Sequence, residues 1–233
     1  VQFTDKQLLI FDLDGTLVDS APDLANAINQ MLVTIGRAPF SSDMIRSWVG
    51  NGAHVLVSRA LSGDSVIATD LTAEVVNQAL DVFLAIYRDN VCIDSVLYPQ
   101  VLSTLGELKK RQYRLAIVTN KPLEFVAPIL QHLGLSDIFE QVLGGDSLAK
   151  KKPDPLPLNH LSELLGIAPM HCLMIGDSKN DIVAAQQANI DSVGVTYGYN
   201  YGEDIALYQP DMVTNDFAQL LEVLTPLNNK EVQ

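Results

Sequence analysis

The residues best suited to chemistry are Asp12 and Asp14, in the stretch LLIFDLDGTLVDS over residues 8–20. Two carboxylates two positions apart in an extended segment point to the same side. Held that close, they do not both ionise readily. A hard divalent cation removes the conflict, and oxygen ligands with a largely hydrated shell suit Mg²⁺. Gly15 follows at once, lets the chain turn and leaves backbone N–H groups for an anion. In GDSKND (176–181), Asp177 can give a third protein oxygen. Asp181, one helical turn further on, can order the water shell of the metal. Beside such a cation, one carboxylate of the first pair can attack a phosphorus atom. The other can hand a proton to the leaving alcohol and later take one from water. Thr119 and Asn120, in VTN, can hydrogen-bond the phosphoryl oxygens. Charge on a transferring phosphoryl group also needs a fixed cation. Lys152, in KKKPDP (150–155), fits that need, because Pro153 stiffens the turn that carries it.

Taken singly, each motif has a plain reading. DxDG is a turn, VTN a loop, KKKP a solvated charge run and GDSKND a helix cap. Their joint placement says more. Short apolar runs read as strands at 8–12, 114–119, 139–145, 172–177 and 192–196. Helical patterns lie between them at about 100–111, 122–133, 155–165 and 180–189, and a last pair covers 211–214 and 217–224. Strands alternating with helices predict an α/β fold, a doubly wound parallel sheet with a Rossmann-like core. Ligands of such sheets sit off the carboxyl ends of the strands, and that is where all the polar motifs fall.

Residues 18–95 show no convincing strand. Ser20-Ala21-Pro22-Asp23 reads as a capped helix start, with an apolar stripe from Leu24 to Ile35 and a stop at Gly36. Two more helical patterns lie near 43–61 and 72–90, the first interrupted by VGNGAH. The expected organisation is therefore a catalytic core of 1–17 and 96–233 with an inserted all-helical cap of 18–95.

With 48% hydrophobic residues in 233, the chain can bury a sizeable core. A net charge of -13 argues against nucleic acid or an anionic membrane as a partner. No apolar run is long enough to span a bilayer, and no signal-peptide pattern opens the chain. The two cysteines, Cys92 and Cys172, match no metal spacing and read as free thiols, in keeping with a cytoplasmic protein. A monomer and a dimer are both compatible with the sequence.

The set DLDGT (12–16), TN (119–120), KP (152–153) and GDSKND (176–181) resembles the haloacid dehalogenase-like hydrolase superfamily, over the whole chain. The resemblance implies that Asp12 is the nucleophile and Asp14 the general acid and base. It also implies Mg²⁺ held by the Asp12 side chain, the Asp14 backbone carbonyl and Asp177, with residues 18–95 as a lid. An acid at position 14 suits an alcohol leaving group, hence a phosphatase or phosphomutase. WVGNGAHVLVSRAL (48–61), VTNKPLEFVAP (118–128) and VTYGYNYGE (195–203) are similar to a bacterial branch that hydrolyses 2-phosphoglycolate to glycolate and phosphate. That implies a small-molecule phosphate ester as the partner and an aspartyl-phosphate intermediate. The alternative is another small sugar phosphate, or a phosphomutase of the same superfamily. The substrate carboxylate must meet a cation or backbone N–H groups; Arg46, Arg59, Lys121 and the Gly50-Asn51-Gly52 loop are the candidates. A binding module that had lost catalysis would show a damaged first motif, and a receiver-like domain would lack the helical segment.

Overall fold

The computed structural model of the protein describes residues 1–225. Its central sheet has six strands, all paired in parallel: β1 (Leu8–Phe11), β4 (Arg114–Val118), β5 (Gln141–Leu143), β6 (Cys172–Gly176), β7 (Asp191–Val195) and β8 (Met212–Thr214), in the order β5-β4-β1-β6-β7-β8. A second, two-stranded ribbon pairs β2 (Val18–Asp19) with β3 (Val96–Leu97) antiparallel.

β1 is fully buried, which is why it reads LLIF with no polar alternation. It lies between β4 and β6, with Leu9 level with Leu115 on one side and Leu173 on the other. The chain runs from β1 to one flank of the sheet and then crosses to the other. The topological switch, and so the crevice, falls at the carboxyl end of β1.

Four helices follow β2: α1 (Ala21–Thr34), α2 (Ser42–Arg46), α3 (Ala53–Ser62) and α4 (Ala73–Asp89). They share an apolar cluster of their own, with Ile28, Met31, Trp48, Val57 and Phe83 buried in it. Ser41 and Thr72 cap α2 and α4 by accepting from Met44 N and Val75 N. The pattern near 43–61 is two helices, because Gly50 and Gly52 take positive φ values that end one and precede the next. Ser20 stands at the N-cap of α1, but its side chain makes no cap bond and instead donates to Asp14 Oδ1 at 2.6 Å. The ribbon strands were invisible to periodicity, since two residues each carry no period. They lie where the chain leaves the core and where it returns. Asp23 ties the two crossings by accepting from Asp94 N and Ser95 N, both at 2.9 Å.

The remaining helices are α5 (Val101–Lys110), α6 (Val126–His132), α7 (Leu156–Leu165), α8 (Lys179–Gln187) and α9 (Leu220–Val223). They cover both faces of the sheet. Leu9, Phe11, Leu115 and Ile117 pack with Val101, Leu105 and Ile129 of α5 and α6. Leu8, Ile10, Ala116 and Val118 pack with Leu158, Leu161 and Ala184 of α7 and α8. Odd and even strand residues thus enter different layers, which makes the sheet doubly wound. Among the described residues no helix is long and apolar enough to cross a membrane.

Candidate active site

β1, β4 and β6 bring their carboxyl ends side by side, and the polar motifs follow directly. Asp12 N continues the ladder by donating to Ile175 O at 3.0 Å. Asp12 is 8% exposed. Its Oδ1 accepts from Leu13 N at 2.7 Å and lies 3.1 Å from Lys152 Nζ. Lys152 is buried and donates to Val118 O and Asp181 Oδ1, both at 2.6 Å. Asp177 accepts from Thr16 Oγ1 at 2.9 Å and from Tyr199 N at 2.8 Å. Asp181 Oδ2 accepts from Ser178 N and Oγ and closes a capping box at the start of α8.

Asp12, Asp177 and Asp181 each place an oxygen within 4.8 Å of the others. Burial pushes the Asp12 carboxyl up to about 7; Lys152 pulls the other way, while Asp181 and Asp14 add to the rise. Burial, then Asp181 and Asp12, push Asp177 up to about 8. For Lys152, burial opposes the charge, but Asp12 and Asp181 outweigh it and its pKa is raised. Setting Asp12, Asp14, Asp177 and Asp181 against Lys121 and Lys152 leaves two negative charges uncompensated. A buried all-oxygen donor set with that charge fits one hard divalent cation. Asp181 uses both oxygens, on Lys152 and on Ser178, and Asp177 uses one each on Thr16 and Tyr199, so Asp12 Oδ2 is the oxygen of these three carboxylates with no hydrogen bond among the described residues.

Asp14 faces a different set of groups. Besides Ser20, both its oxygens are 3.1 Å from Lys121 Nζ. The repulsion between Asp12 and Asp14 is thus relieved by one buried lysine for each, in addition to any metal. For Lys121, burial works against the charge, yet Asp14 and Tyr87 raise its pKa overall.

Other candidates land differently. Gly15 has φ 90 and its N–H donates to Val18 O at 2.9 Å, so that N–H closes the turn and is not offered to an anion. A Cβ at Gly15 would fall 2.3 Å from Asp177 Oδ2; the position needs glycine so that the turn can pass the Asp177 carboxylate. Thr119 lines the cavity, and its Oγ1 accepts from Lys121 N at 3.2 Å. Asn120 also lines it, but both its amide hydrogens are used, on Gly50 O at 3.1 Å and Lys152 O at 2.9 Å. Its side chain bridges the 50–52 loop to the lysine loop, and its buried Oδ1 has no partner among the described residues. Gly52 reaches the cavity. Asn51 is not among the lining residues; its Oδ1 accepts from Arg59 and its carbonyl from Lys151. Nor is Arg46 brought to the cavity. Asp19 holds its guanidinium at 2.8 and 3.0 Å, with Tyr98 at 3.2 Å, because a carboxylate is the stronger local partner.

Above the carboxylates the wall is apolar, made by Leu24, Leu56, Phe83, Tyr87 and Phe125. The space between is narrow, about 30 Å³. Tyr199 lies in the VTYGYNYGE run noted in the sequence, where it reads as loop packing near the sheet edge and has no assigned role. Its hydroxyl accepts from Ser20 N and Ala21 N and donates to Asp19, while its N–H holds Asp177, so one loop residue touches both the Asp177 carboxylate and the start of α1. Its place just after β7, at the same edge of the sheet, was the available signal.

The model of the haloacid dehalogenase-like hydrolases matches residues 9–195, and the chain belongs to that family. It is an enzyme, and curated relatives 47–53% identical over 95–97% of this chain are named phosphoglycolate phosphatase. The chain is 53% identical to a phosphoglycolate phosphatase of Colwellia psychrerythraea, covering 95% of this chain and 98% of the relative. It is 52% identical to a phosphoglycolate phosphatase of Psychrobacter arcticus, over 97% and 100% of the two chains. A crystal structure of a predicted phosphoglycolate phosphatase from Haemophilus somnus superposes with a TM-score of 0.87 at 42% identity, over 94% of this chain and 98% of the other.

Proposed function

We propose that the protein hydrolyses 2-phosphoglycolate to glycolate and phosphate, with Mg²⁺, through an aspartyl-phosphate on Asp12. The observation that carries the chemistry is the pairing of Asp12 with Lys152 at 3.1 Å at the floor of a cavity whose other acid, Asp14, stands apart on its own lysine. Two carboxylates in separate environments suit two separate roles. The relatives named for this substrate, at 53% and 52% identity, support its choice.

In this reading Asp12 Oδ1 is fixed by Leu13 N–H and Lys152, and Oδ2 has no hydrogen bond among the described residues. Oδ2 attacks phosphorus as the ester P–O bond breaks. Asp14 passes a proton to the departing glycolate oxygen. It then takes a proton from the water that attacks the phosphorus of the acyl phosphate, and Asp12 leaves as the carboxylate. Lys152 balances charge at the nucleophile throughout; Ser20 and Lys121 hold Asp14 in reach of the ester oxygen. Mg²⁺ held by the Asp12 side chain, the Asp14 carbonyl and Asp177 would supply positive charge opposite the phosphoryl oxygens. Helices α1–α4 act as a lid, since a space of about 30 Å³ takes only a water or two and a phosphate ester must enter by their movement.

Phosphate release across a panel of esters, with and without Mg²⁺, tests the proposal. Fast, Mg²⁺-dependent release from 2-phosphoglycolate, ahead of other small sugar phosphates, is expected. Equal rates on every ester would remove the substrate assignment, and undiminished release in chelator would remove the metal.

A further inference from the structure

Resting on the substrate reading above, the structure narrows the choice of group for the end of the substrate remote from phosphorus. Of the candidate cations, Arg46 is committed to Asp19 and Tyr98. Arg59 donates to Trp48 O at 2.7 Å and to Ser65 O at 3.0 Å, and lies over the Tyr201 ring. Lys152 is pinned beneath Asp12 by Asp181 and Val118. Among the described residues lining the cavity, Lys121 is the one cation. It is 4% exposed, and its Nζ sits 4.8 Å from the centre of the Tyr87 ring.

Tyr87 is the second, independent observation. It comes from α4, is 1% exposed, and lines the same cavity. Its hydroxyl has no hydrogen-bond partner among the described residues. A buried hydroxyl left unpaired is costly, and such groups generally meet a ligand or water. We infer that Lys121 Nζ and the Tyr87 hydroxyl together receive the carboxylate of the substrate while its phosphoryl end faces Asp12.

The chemistry of the pair fits a carboxylate. An ammonium carries three donors and no acceptor, and a phenol adds one O–H donor. Leu24, Leu56, Phe83 and Phe125 keep the surroundings apolar, which strengthens a charge contact that water would weaken. Lys121 belongs to the floor and Tyr87 to the lid. A carboxylate held by both therefore joins lid to floor, and an ester without one makes no such link. Lys121 is thereby a specificity residue as well as the partner of Asp14.

The test compares kcat/KM for 2-phosphoglycolate with that for ethyl phosphate, in which a methyl group replaces the carboxylate. Wild type should prefer 2-phosphoglycolate. Lys121→Met should shrink that preference by roughly 10- to 100-fold, chiefly through KM, the range for a hydrogen bond to a charged group. Lys121→Arg, which keeps the charge, should retain more of the preference than Lys121→Met, and Tyr87→Phe should reduce it by a smaller factor. The ratio of two substrates on one preparation is insensitive to the fraction folded, and loss of support for Asp14 affects both substrates alike. If Lys121→Met slows both esters equally, Lys121 serves Asp14 alone and the inference is wrong. If Tyr87→Phe leaves the ratio untouched, the tyrosine has no part in recognition. A wild type that shows no preference overturns the substrate reading itself, which is a different result.

Discussion

At the floor of the cavity and buried behind it, Asp12, Asp177, Asp181 and Lys152 are ionisable groups, each held by named hydrogen bonds or ion pairs. On the side proposed as the lid, Leu24, Leu56 and Phe83 meet them with hydrocarbon, and the helices behind are joined by an apolar cluster. Stacked Phe83 and Tyr87, with ring centres 5.7 Å apart, belong to that cluster. The floor concentrates charge where folding alone would avoid it; the lid obeys ordinary packing. Function in the floor therefore opposes stability, whereas in the lid the two run together.

The largest expected effect breaks the floor. Asp12→Asn should lower turnover by about 10⁴-fold or more, as loss of a nucleophile does. The same change removes a charge that burial disfavours, so the metal-free protein at pH 8 should melt at the same temperature or higher. Phosphate release and thermal melts read the two halves, and a sharp fall in melting temperature would show that the floor is not strained. The lid counterpart is Phe83→Ala. It should cost about 3–5 kcal/mol in denaturant unfolding, the usual range for a large buried ring. A loss under about 1 kcal/mol would mean that the lid does not depend on its apolar cluster.

Gly15→Ala should act on the floor without touching a charge. Its Cβ would run into the Asp177 carboxylate and its φ of 90 disfavours alanine. The Mg²⁺ concentration for half-maximal activity should rise by roughly 10- to 100-fold, the scale seen when a metal ligand loses its support. An unchanged Mg²⁺ requirement would separate Asp177 from the metal.

The smallest effect concerns pH. Asp12 and Asp177 ordinarily titrate at 3.8, but in the folded protein they are raised to about 7 and about 8. Between these values the folded state binds more protons than the unfolded one, so stability falls as pH rises. Metal-free protein should accordingly lose melting temperature from about pH 4 to about pH 8, and Mg²⁺ should restore it most at the upper end. A melting temperature that climbs over that range without metal would contradict the assignment of the carboxylates as buried and uncompensated.

The two regions also differ in how well the sequence describes them. β1, β4 and β6 are legible because a strand covered on both faces must be an apolar run, and its polar successor marks the working edge. Asp12, Thr119 and Asp177 follow from that rule. The lid helices are legible as helices from their stripes. Arg46 and Asn51 looked like substrate groups because an arginine and a glycine-flanked asparagine near a loop have no partner in a linear reading. Asp19 and Arg59 are those partners, and only the fold presents them. The ribbon of β2 and β3 escaped notice because four residues have no pattern. The role of Tyr199, though its run stood out in the sequence, was not legible because its bonds go to Ser20, Ala21 and Asp177, all far away in the chain.

By itself the sequence determined which side chains stand at the edge of the sheet, since period and burial are local properties that each strand writes in its own residues. Only the tertiary structure decided which ammonium answers which carboxylate: Lys152 for Asp12, and Lys121, 107 positions along the chain, for Asp14. Such pairings are set by how helices and loops pack over the strands, and no local pattern carries a distance of that kind.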